Sequence, residues 1–436
     1  MNRVCSVFQQ ILKIFSRTEF EQLARKHGAE RHARGFTCWD QFVAMLFCHL
    51  GRAQSLREIC GGLASAEGKL SHLGIEAAPA RSTLSYANAH RPWQLFESLF
   101  YVLLDRCREI APKRRLKFKN ALLSLDSTVI DLCASVFDWA KFRTTKGGVK
   151  VHMLLDNQGL LPSYALITDA RTSDIRAARE IAFPAGAIVV FDRGYNDFLW
   201  FVTLSLQGVW FVTRMKEATR YRVVERREVP HSGGVLRDEV IELEINLAPY
   251  GIELDPPVRF RRIEVRVPDR DEPMVFLTNH MEFAASTIAA IYKERWQIEL
   301  LFKALKQNLR IKTFVGTSSN ALRIQIWTAL ISMLILRYLQ LKSHFRWSLS
   351  NLLALLRFNL FTYRDLWTWL NDPFSPIGNA CALYIRRFLP DHGNKTFRHS
   401  FPPFISSTHF KMHPNFIDLL QFWRPFIITC FKIQVQ

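Results

Sequence analysis

The chain contains 436 residues, of which 49% are hydrophobic, so it is neither too short nor too polar to form two to four domains with apolar cores. It carries 58 Lys and Arg against 39 Asp and Glu, a formal charge of +19 that is spread along the whole chain. This surplus favours a polyanionic partner, either nucleic acid or an anionic membrane surface. An ordinary soluble basic protein is the alternative that charge alone leaves open.

The sequence also indicates the compartment. Its eight cysteines form no CxxC pair and no zinc-binding spacing, and most lie in apolar surroundings, as buried free thiols of a reducing compartment do. The N-terminus lacks the apolar core of a secretory signal. The most apolar helical run, residues 324–336, is shorter than the roughly 20 residues that span a bilayer. We therefore expect a cytoplasmic protein that contacts no membrane.

Residues 1–115 carry only helical signals and predict an all-helical N-terminal domain. Because this region is also basic, we assign it as a DNA-binding domain. Within it, Ser82 is a plausible N-cap for a short helix that ends before Pro92. The exposed side of this helix is predicted to carry Arg81, Ser85, Asn88 and Arg91. Such a polar helix suits a DNA groove, with Arg81 and Asn88 as contacts, and it equally suits an ordinary solvated face.

Beyond the basic segment 112–119 the pattern changes to mixed α/β. Short β-rich runs and helices alternate at residues 121–132, 149–156, 161–168, 173–181, 187–192, 197–206 and 209–215. They predict a central sheet, and we assign its first part to residues 116–215. Residues 216–285 follow as long, polar, alternating segments, which predict an insertion of antiparallel strands with one solvated face.

Helices resume after this β-rich insertion. Long helices are predicted at residues 286–309 and 320–342, and shorter ones at 349–357 and 364–370. We assign residues 286–345 to the second part of the core and residues 346–436 to C-terminal helices and a tail. After Pro373 the chain has no sustained period, so no fold is assigned to that tail.

Two aspartates follow apolar strand sequences. Asp126 comes after ALLSL and Asp192 after IVVF, so each is predicted to lie where its strand ends. Either aspartate alone is readily explained as a turn residue that makes a local side-chain bond. Two strands that each present an acid at their C-terminal end place both acids on one rim of the sheet, which is where ligands bind in open α/β sheets.

A third acid lies on the helix predicted at residues 286–309. Tyr292, Arg295, Glu299 and Lys306 are spaced +3, +4 and +7, so on one continuous helix they share an arc of about 60° at the border of the apolar face. An amphipathic helix with charges at its border by chance is the alternative.

Together these residues suit phosphodiester chemistry. Asp126, Asp192 and Glu299 are enough to hold two Mg²⁺ ions, with Mn²⁺ as a substitute, because Mg²⁺ completes its coordination shell with water and phosphate oxygens. Such ions activate a water or a 3′-hydroxyl and stabilise the departing oxygen. The cations Arg295 and Lys306, together with the Tyr292 hydroxyl, would hold a neighbouring phosphate.

These segments resemble a known family. DSTVIDL, VFDRGYNDF and the Tyr-x2-Arg-x3-Glu-x6-Lys helix are similar to the DDE transposases of bacterial insertion sequences, specifically the insertion-sequence-four family, and the resemblance runs from about residue 15 to residue 373. It implies an RNase H-like catalytic core interrupted by a β-rich insertion, with Asp126, Asp192 and Glu299 as metal ligands. Tyr292, Arg295 and Lys306 would contact DNA near the cut, and Arg193, directly after Asp192, is a further candidate DNA contact.

The resemblance also implies partners and a reaction. Its members act as dimers or larger assemblies on terminal inverted repeats, break both DNA strands and insert the element elsewhere. We therefore expect a homodimeric, nucleoid-associated transposase of double-stranded DNA. Lys150 and His152 lie on one face of a strand and match a family pattern, but the sequence gives no physical reason for a role.

Two alternatives remain at this point. One is a catalytically retired DNA-binding protein, whose expected mark is a lost acid; none of the three acids is lost. The other is a structure-directed nuclease with the same core fold.

Overall fold

The computed structural model describes residues 5–31, 33, 35–66, 68–112, 118–133, 137, 139, 141–143, 146–229, 234–244, 258–267, 271–308 and 314–374. The predicted tail after Pro373 lies outside these residues, apart from Phe374. Residues Met1–Phe374 form one compact unit.

Six helices form in the described part of the N-terminal region, as its periodicity predicts: α1 (Val7–Leu12), α2 (Arg17–Lys26), α3 (Cys38–Leu50), α4 (Leu56–Ala64), α5 (Arg81–His90) and α6 (Gln94–Ile110). Serine and threonine cap several of them. Thr37 and Asp40 form a capping box at the start of α3, which satisfies backbone N–H groups that a helix end otherwise leaves unpaired.

The strands join into one mixed sheet. Its strands are β1 (Leu122–Cys133), β2 (Lys141–Arg143), β3 (Lys146–Asp156), β4 (Leu161–Asp169), β5 (Ile188–Phe191), β6 (Trp210–Arg214), β7 (Tyr221–Arg226), β8 (Val235–Leu243), β9 (Arg259–Val265) and β10 (Met274–Thr278). Among the described residues the order is β2-β3-β1-β5-β6-β10-β9-β8-β7, with β4 paired to β3. β1 is antiparallel to β3 and parallel to β5, and β5 is parallel to β6.

The strands of the predicted insertion continue this sheet. β10 pairs with β6, so β7–β10 extend the core outward to the edge strand β7, which is exposed at five of its six positions. The prediction of one solvated face is wrong for β8 and β9, each of which has four consecutive buried residues. Both faces of β9 are covered because Arg261 and Arg262 are buried and paired with Asp238 and Glu239 of β8, at 2.7 and 3.0 Å.

The remaining helices are α7 (Asp174–Arg179), α8 (Phe198–Leu206), α9 (Ala285–Glu294), α10 (Trp296–Asn308), α11 (Ser319–Lys342), α12 (Leu349–Asn359) and α13 (Leu366–Asn371). α7 and α8 lie along the chain between β4 and β6, and α8 packs on one face of the sheet with Phe191 and Phe211. α9 packs on the other face, where Ile288 and Ile291 meet Val190 of β5.

α11 lies at the centre of the helical core. It is long and apolar enough to cross a membrane, but 78% of its apolar window is buried inside the protein. It packs against α3 and α6, and Trp327 of α11 contacts Phe100 of α6 with ring centroids 5.3 Å apart. The prediction of a buried core helix is therefore confirmed. This core joins helices from both ends of the described chain, whereas the predicted domain boundaries remain predictions.

Candidate active site

The strand register brings Asp126 and Asp192 to adjacent positions. The parallel pairing of β1 and β5 ends at Leu125 and Phe191, and the next residue on each strand is an aspartate. Asp192 follows the last residue of β5, as predicted. The prediction that Asp126 ends its strand is wrong, because β3 pairs with β1 on its other side as far as Cys133. Asp126 thus lies in the middle of β1, at the point where its neighbour β5 stops.

The third acid comes from a helix that is broken, not continuous. α9 ends at Glu294 and α10 begins at Trp296, so the prediction of one helix over residues 286–309 is wrong. At the break, the Arg295 N–H donates to the Tyr292 carbonyl and the Ile298 N–H to the Arg295 carbonyl, the i→i+3 bonds of a tighter turn. The two helices bury different faces: α9 packs on the sheet, and α10 inserts Ile298 into the helical core.

Around this break, Tyr292, Arg295 and Glu299 lie close to the two aspartates. Arg295 forms ion pairs with Glu299, Nη2 to Oε1 at 2.6 Å, and with Asp126, Nη1 to Oδ2 at 3.6 Å. The Tyr292 hydroxyl donates to Oδ1 of Asp192 at 3.4 Å. The structure therefore brings five of the predicted site residues together across β1, β5, α9 and α10.

The surroundings of Asp126 disfavour the ionised form of its carboxyl group. Burial raises the pKa of this carboxyl to about 6, and the negative charges of Glu299 and Asp192 add to the rise. The Ser127 backbone N–H, which donates to Asp126 Oδ1 at 2.8 Å, and the Arg295 guanidinium oppose it. Three carboxylates with one bridging arginine form a place where additional positive charge is favourable.

The donor set fits a hard divalent cation. Carboxylate oxygens are the ligands that Mg²⁺ and Mn²⁺ prefer. In the described part of the chain, however, no three His, Cys, Asp or Glu side chains are close enough as they stand to hold one ion. The Arg295 guanidinium, which contacts both Asp126 and Glu299, lies between them. A cation bound by the three acids would therefore replace Arg295 as their counter-charge.

The other predicted DNA contacts lie outside this cluster. Arg193 is exposed on the short 3₁₀ turn Arg193–Tyr195 that follows Asp192, and Lys306 is half-exposed on α10. Arg81 is exposed at the start of α5.

Two expectations about α5 are wrong. Asn88 is 1% exposed, and its Oδ1 accepts from Gln41 Nε2 at 2.8 Å where α5 packs on α3. It is therefore not available as a surface contact for DNA. The helix begins at Arg81, and Ala80 is its N-cap residue without a side-chain cap, so Ser82 lies inside the helix.

A polar cluster on the opposite face of β1 was missed. The Asp174 carboxylate accepts from Ser127 and Lys150 there and lies beside His152. The alternation of Lys150 and His152 along one strand was a signal for this cluster. Their partner Asp174 was not identifiable, because it comes from α7, more than 20 residues away in the sequence.

Comparison with known proteins identifies similar chains. The model of the transposase DDE domain family matches residues 117–335, which include all three acids, and a domain of unknown function matches residues 4–76. The chain is 34% identical over 284 residues to a Sinorhizobium fredii protein that carries the name transposase y4zB, a match covering 64% of this chain and 77% of that protein. It is 24% identical to a Geobacillus stearothermophilus protein named as a transposase for insertion sequence element IS5377, over 89% of this chain and 99% of that protein.

A solved structure is also similar at low sequence identity. It is described as a cryo-electron microscopy structure of the piggyBac transposase synaptic complex with hairpin DNA, and the match has a TM-score of 0.41 and 11% identity over 89% of this chain and 84% of that chain. The family match to half of the chain and the relative at 34% identity lead to one conclusion. This chain belongs to the transposase DDE domain family.

Proposed function

We propose that the protein is the transposase of a bacterial insertion sequence, and that it cleaves DNA at the terminal inverted repeats of its element and joins the freed ends to new DNA. The observation that carries this proposal is the convergence of Asp126, Asp192 and Glu299 from three separate elements onto one site. The antiparallel β1-β3-β4 meander, with β5 and β6 parallel beside β1, supports the RNase H-like core that the insertion-sequence-four resemblance implies.

Asp126, Asp192 and Glu299 would hold the divalent metal that the family membership implies, which we propose to be two Mg²⁺ ions. When bound, the metal supplies Lewis-acid activation of the attacking hydroxyl and charge stabilisation of the leaving oxygen. The fold would keep the three carboxylates deprotonated and oriented toward the same point. Because burial raises the pKa of Asp126 to about 6, that carboxyl holds its charge only above about pH 6 without a bound cation.

Arg295 and Tyr292 would hold the phosphate at the cut. The Arg295 side chain is 15% exposed, and its guanidinium would add a charge-assisted hydrogen bond to a phosphate oxygen. Burial raises the pKa of the Tyr292 phenol, which keeps it neutral and able to donate a hydrogen bond. Lys306 and the exposed Arg193 would add phosphate contacts near the acids.

The N-terminal helices supply a second DNA surface. Arg81, Ser82 and Ser85 of α5 line an open groove of about 760 Å³ together with Arg57 of α4. Serine hydroxyls serve either as donors or as acceptors to base edges, and the arginines neutralise phosphates. We propose that this groove, without Asn88, contacts the terminal repeats in a homodimeric complex in the bacterial cytoplasm.

Glu299→Gln tests the proposal, because it preserves shape and removes one charge from the carboxylate cluster. We expect binding to terminal-repeat DNA to persist while Mg²⁺-dependent nicking falls by several orders of magnitude, since each ~1.4 kcal/mol of lost transition-state stabilisation is tenfold in rate. Glu217→Gln, at an exposed turn position, is the control and should nick normally.

The same assay separates the alternatives. A retired DNA-binding protein would bind repeats without nicking even in the unmodified form. A structure-directed nuclease would nick plasmid DNA equally well with and without the repeats. Nicking by Glu299→Gln at close to the unmodified rate would remove Glu299 from the proposed metal site.

A further inference from the structure

A cluster of polar side chains lies on the face of the sheet opposite Asp126. Its centre is Oδ1 of Asp174, in the first turn of α7. Ser127 Oγ–H donates to this atom at 2.7 Å, Lys150 Nζ donates at 3.2 Å, and His152 Nδ1 lies 3.7 Å away. We refer to Ser127, Lys150, His152 and Asp174 as the Asp174 cluster.

The pleat of the sheet explains this arrangement. Neighbouring residues of a strand point to opposite faces, so Asp126 faces α9 and α10 while Ser127 faces α7. Ser127 is directly opposite His152 on β3, and Lys150 lies two residues along on the same face. The acid of α7 therefore accepts hydrogen bonds from Ser127 and Lys150 and lies beside His152, all on a single face of β1 and β3.

Lys150 and His152 each make a further polar contact. Lys150 Nζ also donates to the Thr172 carbonyl at 3.0 Å, in the turn before α7. The other ring nitrogen of His152 lies 2.9 Å from the Thr168 hydroxyl on β4, and the His152 side chain is 1% exposed. The cluster therefore adds short polar contacts between α7 and the sheet to the apolar packing of Ile175 and Ala178.

The cluster connects directly to the catalytic acids. The backbone N–H of Ser127 donates to Oδ1 of Asp126 at 2.8 Å, so the residue that Asp174 holds by its side chain orients Asp126 by its main chain. α7 also packs against the turn Arg193–Tyr195 that follows Asp192. Tyr195 of that turn is 3% exposed and packs in the apolar cluster that contains Phe191. Asp174 and α7 thus contact the backbone segments that carry Asp126 and Asp192.

We propose that Asp174 is a positioning residue for the metal site: through Ser127 it holds the Asp126 carboxylate in its binding orientation from the opposite face of the sheet. This inference rests on the proposed function, because it takes Asp126 as a metal ligand. Ligands of this kind depend on hydrogen-bonded partners behind them, and loss of such a partner typically costs 10- to 100-fold in metal affinity or activity. Asp174→Asn removes the charge that attracts Lys150 and weakens the hold on Ser127.

The test measures metal binding separately from catalysis. Mn²⁺ binding to the full-length protein is followed by the electron paramagnetic resonance signal of free Mn²⁺, for the unmodified protein, Asp174→Asn, Ser127→Ala and Ser127→Thr. We expect roughly 10-fold weaker Mn²⁺ binding for Asp174→Asn and Ser127→Ala, with Ser127→Thr close to unmodified because it keeps the hydroxyl. Glu180→Gln, an exposed acid at the end of the same helix, is the charge-matched control.

The nicking rate of each variant should change in parallel with its Mn²⁺ affinity. Nicking by Asp174→Asn should be slow at low Mn²⁺ and recover as Mn²⁺ is raised, while its affinity for repeat DNA and its melting temperature change little. Unchanged Mn²⁺ affinity in both Asp174→Asn and Ser127→Ala would overturn the inference. A lowered melting temperature with an unchanged Mn²⁺ requirement would also overturn it, since the role would then be purely structural.

Failure of the proposed function would look different. If the unmodified protein bound no Mn²⁺ and nicked no DNA, the metal site itself would be wrong and the positioning role would fall with it. If the unmodified protein bound Mn²⁺ and only the variants failed to differ from it, the positioning role alone would be wrong. If Asp174→Asn does not fold, the pair Ser127→Ala and Ser127→Thr decides the question.

Discussion

Asp126 shows how one residue of a catalytic site opposes the stability of the fold that holds it. Its side chain is 20% exposed and lies near two other acids, with one arginine as compensation. Burial and like charges raise its folded pKa to about 6, above its unfolded value near 3.8. The protonated carboxyl therefore contributes stability that is fully present below about pH 3.8. This stability is lost as the carboxyl ionises with the pH rising through about 6.

Asp126→Asn should consequently stabilise the metal-free protein at pH 7.5. A shift of about two pKa units corresponds to at most about 3 kcal/mol, so we expect a gain of about 1–3 kcal/mol, seen as a higher melting temperature in a chelator. The gain should shrink below pH 6 and vanish near pH 4. Added Mg²⁺ should stabilise the unmodified protein and not the variant. A variant less stable than the unmodified protein at pH 7.5 would contradict this account.

Arg295 is predicted to have two roles, as counter-charge to the acids and as a phosphate contact. Its pKa is raised although burial acts to lower it, because Tyr292, Glu299 and Asp126 outweigh the burial. Arg295→Ala should lower the melting temperature of the metal-free protein, and Mg²⁺ should restore much of the loss. Nicking should fall by only about 10- to 100-fold, because the variant removes a charge-assisted contact and not a metal ligand. Loss as complete as that of Glu299→Gln would contradict this division of roles.

Among the elements, a buried ion pair links the extended sheet to α9, beside apolar contacts such as that of Phe276 with Tyr292. Arg261 and Asp238 are 4% and 6% exposed, and Nη1 of Arg261 also reaches the Phe283 carbonyl, two residues before α9 begins. The pair therefore connects β8 and β9 to the start of the helix that carries Tyr292.

Asp238→Ala should be strongly destabilising, because it leaves the Arg261 charge buried without its partner. We expect a loss of about 3–5 kcal/mol in the free energy of unfolding by urea. Glu225→Ala breaks the exposed pair with Arg227 and should cost less than about 1 kcal/mol. Equal effects from the two substitutions would show that the buried pair has no special role.

At the scale of the whole molecule, DNA binding and the fold cannot be separated by simple truncation. α3, α5 and α6 from residues 1–115 pack against α11, so their removal would expose the apolar surface of α11. Substitutions on the surface of α5 avoid this difficulty. The positive surplus of the chain, 58 basic against 39 acidic residues, also predicts that binding weakens steeply as salt rises.

The double variant Arg81→Ala with Ser85→Ala should lose repeat-specific binding by about 10- to 100-fold, because both side chains line the groove with Arg57. Electrophoretic mobility shift at several salt concentrations measures it, with Arg108→Ala on α6 as the matched control. The variant should also show a shallower salt dependence, since one phosphate contact is removed. Unchanged discrimination between repeat and random DNA would exclude the α5 groove as the end-binding surface.

The sequence by itself determined the local features. Short apolar, β-rich runs located β1 and β5, helical periodicity located α11, and the spacing of Tyr292, Arg295 and Glu299 predicted one site, because each pattern depends on residues a few positions apart. Only the tertiary structure decided the placement of Asp126 within β1 beside the end of β5, the burial of Asn88 and the break between α9 and α10. Each of these follows from pairing or packing with a segment that is distant in the sequence. The same holds for Ser127 and Asp174, which are 47 residues apart and meet only because α7 packs across the sheet.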